Sequence, residues 1–217
     1  MMKVQKNKTN YNGIPLNRYA ITISGIMKKL SIIGKLSIII IIVFLGTLWF
    51  FPMWRIDLRA PQYPGGLSMQ IWINNLKGDV PIINGLNHYI GMKNINQKDF
   101  PEFVFLPITM LCFMGLGLLV LIFNRKVLYY IWAVMFMFVG FFSFYDFYKW
   151  EYNYGHNLDP HAPIQVPGMS YQPPILGYKK LLNFEVLSQP DIAGWFYIIA
   201  GGILLSVAIY EWRRTAK

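Results

Sequence analysis

The chain reads as an all-α transmembrane protein, a four-helix membrane bundle with a small irregular, β-containing extracytoplasmic cap made from two long loops. Three observations predict this. Of 217 residues, 55% are apolar and only 14% charged, against about 25% charged in ordinary soluble domains. Four stretches are long and apolar enough to cross a bilayer core, which takes about 20 helical residues. The basic residues collect at the chain ends and in one short link, leaving the long connections with most of the acids.

The elements follow in order. Residues 1–30 form a basic, partly disordered tail, and residues 31–52 hold span one, centred on Ile38-Ile39-Ile40-Ile41-Ile42-Val43. Span one is not a cleaved signal peptide, because Phe50-Phe51-Pro52-Met53 offers no small-residue cleavage site. Residues 53–102 make the first loop, 103–123 span two, Asn124-Arg125-Lys126 a tight turn, and 127–146 span three. The second loop covers 147–191, span four 192–211, and the tail 212–217. Asp146 and Glu211 sit at span ends, where a carboxylate is expected to reach headgroups or water. Gly115, Gly117, Gly201 and Gly202 are read as helix-packing positions.

Orientation comes from the bases. Twelve of the 20 lie at the N-terminal side up to Lys35 in the first turn of span one, in the turn, or after span four, and Glu211, at the end of span four, is the one acid beside them. The loops hold the other eight bases and eight acids, and the ninth acid, Asp146, lies at the outer end of span three. The positive-inside rule therefore predicts cytoplasmic termini and outer loops, in a multi-pass protein of the bacterial inner membrane. The net charge of +10 is a topology signal. The lipid bilayer is the expected partner, and nucleic acid is not.

In the first loop, Trp54-Arg55-Ile56-Asp57-Leu58-Arg59 and Leu67-Ser68-Met69-Gln70-Ile71-Trp72-Ile73 alternate as strands do, with Ala60–Gly66 as turn material. Gly85–Met92 predicts a short helix with His88 and Met92 at i, i+4 on one face. The second loop is proline-rich around Pro160-His161-Ala162-Pro163 and Pro167–Pro174, which predicts an ordered, extended segment lying over the first loop.

The candidate ligands lie in these loops. All three histidines, His88, His156 and His161, are outside the spans, together with Met53, Met69, Met92 and Met169. Imidazole with thioether suits copper. His88 and Met92 are the leading candidate copper ligands, and Met69, His156, His161 and Met169 weaker ones. A structural hydrogen-bonding histidine is the commoner case for any one of them. One cysteine, Cys112, excludes disulfide frameworks and multi-cysteine clusters. The sequence has no nucleotide-binding glycine loop and no His-Glu-x-x-His. No charge lies mid-span to suggest an ion relay. No catalysed reaction is expected.

Two strings carry a family resemblance: Ala60-Pro61-Gln62-Tyr63-Pro64-x-Gly66-Leu67 continued by Asn87-His88-Tyr89-Ile90-Gly91-Met92, and Val166-Pro167-Gly168-Met169-Ser170-Tyr171-Gln172-Pro173-Pro174. They resemble the NosB-type four-span membrane proteins associated with clade II nitrous-oxide reductases, over about residues 36–212. The resemblance implies an accessory role in nitrous-oxide respiration (denitrification), serving a periplasmic copper enzyme or copper chaperone by maturation, copper handling or docking. It transfers no catalytic residue. Two other functions stay open: an electron-transfer component from quinol to the periplasm, and a structural subunit among other membrane subunits.

Overall fold

The computed structural model describes residues 28–181 and 183–216, so most of the basic tail expected over 1–30 lies outside the described residues. Four helices are long and apolar enough to cross a membrane: α1 (Ile32–Gly46, extended by a 3₁₀ turn to Trp49), α3 (Glu102–Phe123), α4 (Lys126–His156) and α5 (Ile192–Ala216). They pack in a ring in which α1 touches α3 and α5, and α4 touches the same two. Ile38, Ile41, Leu45, Phe113, Trp132 and Leu204 fill the centre. The outward faces stay apolar, with Phe105, Ile122, Phe138 and Phe141 exposed, the arrangement expected of helices that face lipid. Gly117 is a packing glycine, because a Cβ there would come within 2.8 Å of the Trp132 ring. Gly201 abuts Phe136, whereas Gly115 and Gly202 face open space.

One end of the bundle is clasped by a buried ion pair. Lys126 Nζ lies 2.9 Å from Glu211 Oε2, with side chains 2% and 0% exposed. Lys126 Nζ also donates to the Glu211 backbone carbonyl at 3.0 Å, and Ser31 N–H donates to Glu211 Oε1 at 2.9 Å. Ser31 is the N-cap of α1, its hydroxyl accepting from Gly34 N–H. Three helix ends thus meet at one carboxylate. This corrects the expectation that Glu211 reaches water or headgroups: α5 continues past residue 211, which turns Glu211 inward against α1 and α4.

The other end carries the cap, which contains β-structure as expected but as a regular sheet, so the chain is mixed helix and sheet rather than all-α. Five antiparallel strands form one sheet in the order β3-β2-β1-β5-β4. The strands are β1 (Trp54–Ala60), β2 (Tyr63–Ile71), β3 (Leu76–Gly78), β4 (Gly177–Leu181) and β5 (Phe184–Pro190). The two strands foreseen in the first loop pair with each other, Ile56 opposite Met69 and Leu58 opposite Leu67. Tyr63–Gly66, read as turn, instead begin β2, because Ala60 pairs with Tyr63 across Pro61-Gln62 alone. β1 also pairs with β5, from Trp54 opposite Pro190 to Arg59 opposite Glu185, which joins the two loops. Alternation places Ile56, Leu67, Met69 and Val186 in a second apolar core with Ile83, Tyr154 and Leu181. Sheet and bundle are continuous, since Asp191 N–H donates to the Met53 carbonyl and Ala193 N–H to the Pro52 carbonyl.

The helix of the third span runs past residue 146, where the second loop was expected to begin, to His156. At 1.5 Å per residue, 31 residues make a helix about 46 Å long, against a bilayer core of about 30 Å. The last ten residues, from Phe147, project beyond the span into the cap. Phe147, Trp150, Glu151 and Tyr154 follow the i, i+3, i+4, i+7 spacing of one helical face, and all but Glu151 belong to or pack on the cap core. His156 is therefore the end of a helix rather than part of a loop.

The remaining cap helix, α2, spans Val80–Tyr89. The proline-rich segment after α4 is irregular but tied by its backbone. Asp159 N–H donates to the Gly91 carbonyl, Ile164 N–H to that of Tyr89 and Tyr171 N–H to that of Gly155. Gly155 is required for this approach: a Cβ would lie 2.3 Å from backbone atoms of Gln172, which cannot move aside as a flexible side chain can. Gly155→Ala is expected to detach the segment, read as rapid proteolysis between residues 160 and 176 of a protein whose bundle still resists protease. Unchanged resistance would show that the contact is dispensable.

Candidate functional site in the cap

The structure separates His88 from Met92. α2 ends at Tyr89, and Gly91, at φ +77°, reverses the chain. Gly91 N–H donates to the His88 carbonyl and Met92 N–H to that of Asn87, the paired bonds of a Schellman motif. A continuous helix would have stacked the two side chains. The left-handed turn leaves His88 exposed, its ring edge-on to Tyr89, and sends Met92 against the cap core. Asn84 does not hold His88 either. Its side-chain amide clamps Ile95, accepting from N–H at 2.7 Å and donating to C=O at 3.0 Å.

The other histidines are also on the surface. His156 stacks on Tyr152 with ring centroids 3.9 Å apart, and its Nδ1 lies 2.9 Å from the Tyr152 carbonyl. His161 is exposed on the proline-rich segment, where Met169 is half-buried. Among the described residues, no three His, Cys, Asp or Glu side chains gather as a metal-binding group. Two candidate residues do come together: Met69 and Met92 line one cavity beneath the sheet.

That cavity, about 60 Å³, lies between the sheet, α2, the end of α4 and the proline-rich segment. Its lining is mostly apolar, with Ile56, Ile83 and Val186 among the wall residues. Glu151 is the one acid in that lining. It is fully buried, and neither carboxylate oxygen has a hydrogen-bond partner among the described residues. Asn87 Nδ2 and the Tyr171 hydroxyl, on the same walls, also lack partners. Burial pushes the Glu151 carboxyl up from 4.5 to about 8, opposed by the charge of Lys179. Strongly perturbed ionisable groups in cavities are candidates for function.

Reading the sequence element by element misses Glu151, because the cut at residue 146 assigns it to a loop, where a carboxylate is ordinarily solvated. The signal was the helical stripe of Phe147, Trp150 and Tyr154, which continues past the membrane boundary and includes an acid. No protein-family model matches the chain, and no curated protein is similar to it.

Proposed function

We propose that this chain is a membrane-anchored accessory protein whose outer cap docks a soluble periplasmic partner. The carrying observation is the β1–β5 pairing, which merges loops far apart in sequence into one folded surface fused to two membrane helices. Loops that merely connected spans would need no shared sheet and no core of their own. The described bases at the opposite end, among them Lys28, Lys29, Arg125, Lys126, Arg213 and Arg214, support a cytoplasmic position for that end and a periplasmic one for the cap.

The resemblance to NosB-type proteins points to the partner: a copper-dependent nitrous-oxide reductase or its copper donor. In this reading the chain performs no chemistry of its own. It holds the partner at the inner membrane and supports its maturation. The test is a strain that respires nitrous oxide and lacks only this chain. Growth on nitrous oxide should fall and return with the intact gene, while a variant carrying Gly155→Ala, expressed at equal level, should restore it poorly. Full growth without the chain would overturn the accessory role.

A further inference from the structure

The Glu151 carboxyl is costly where it stands. A buried carboxyl whose oxygens have no hydrogen-bond partner is penalised whether charged or neutral, and the same stripe filled by an apolar residue would pack the cap without that cost. The cavity it borders, about 60 Å³, is well below the roughly 300–1,000 Å³ typical of organic-ligand pockets. It exceeds the roughly 10–15 Å³ that one water requires. The space therefore suits an ion with a few waters rather than an organic substrate.

We propose that the cap cavity binds one soft monovalent cation, copper(I), through the thioethers of Met69 and Met92, with the Glu151 carboxylate as anionic ligand. The proposal deepens the accessory reading by naming a cargo, and rests on that reading only for the use made of the ion.

The donor set selects the ion. Thioethers favour copper(I), whereas calcium takes about six to eight oxygen ligands and magnesium an octahedral set. The walls offer one carboxylate, the Tyr171 hydroxyl and the Asn87 amide in an otherwise apolar lining, too few for a hard cation. Charge balance favours a monovalent ion, since copper(I) and one carboxylate are neutral together and add no net charge to the cap interior. The Trp150 ring shares the wall, and an indole face attracts a cation. Binding forms copper–sulfur and copper–oxygen bonds without electron transfer, and any proton on the carboxyl leaves to solvent. No histidine lines the cavity, so the site needs no imidazole.

The full chain in detergent, stripped of metal, would be titrated with ascorbate-reduced copper(I) against a chromophoric copper(I) chelator. One equivalent per chain is expected, with sulfur scatterers in the copper X-ray absorption spectrum. Glu151→Gln and the volume-conserving pair Met69→Leu with Met92→Leu should each weaken binding about tenfold or more, at least the loss seen when metal-supporting residues are removed. His88→Ala and His161→Ala should bind as the parent does. Should the double variant fail to fold, Met92→Leu alone, at a half-buried position, is read instead. Parent-like copper affinity in the Glu151 and methionine variants, or loss confined to the histidine variants, would overturn the site. Normal growth without the chain, alongside intact copper binding, would remove the accessory role and leave the site standing.

Discussion

Lys126→Met should destabilise the bundle by about 3–5 kcal/mol, the loss found when one partner of a buried ion pair is removed. It removes a cation that lies 2.9 Å from a carboxylate 0% exposed. In detergent the melting temperature should fall by on the order of 10 °C. Adding Glu211→Gln to the same chain should recover most of the loss, because a neutral amide oxygen still accepts from Ser31 N–H and no charge remains buried. Equal stability of Lys126→Met and the parent would show that water reaches the pair.

Glu151→Gln in metal-free protein should remove a pH dependence that the parent shows. The carboxyl titrates near 4.5 when exposed and near 8 in the folded cap. The folded state therefore holds its proton more tightly. The associated stability is fully present below about pH 4.5, declines as pH rises from 4.5 to 8, and is gone above that. At about 1.4 kcal/mol per pH unit the span amounts to at most about 5 kcal/mol. The groups facing or acting on Glu151 do not reproduce this window: Asn87 does not titrate, and Lys179 pulls the carboxyl the other way. Melting curves from pH 5 to 9 should fall for the parent and stay flatter for Glu151→Gln, with the variant the more stable at alkaline pH. Parallel curves would show that the carboxyl is solvated in both states.

Much of the architecture was legible because it follows from local rules. Twenty-residue apolar runs can be counted, and alternation at Trp54–Arg59 and Leu67–Ile73 reveals strands whichever way they pair. Glu151 was hidden for the opposite reason. Its environment depends on where a helix leaves the membrane, and the hydropathy drop after Tyr145 looks the same whether the helix stops or continues into a protein interior.

The candidate site shows the same division. Composition placed methionines and histidines together in the loops, but a single φ of +77° at Gly91 turned Met92 inward while His88 stayed outside. The resulting cavity draws its walls from residues 56 to 186, and no spacing rule relates them. Spans, their number and the strands of the first loop were set by short-range hydropathy and periodicity. The union of the loops through β1 and β5, the inward turn of Glu211 and the burial of Glu151 were decided only in three dimensions. Each depends on which surfaces meet, and partners distant in sequence leave no local trace of their contact.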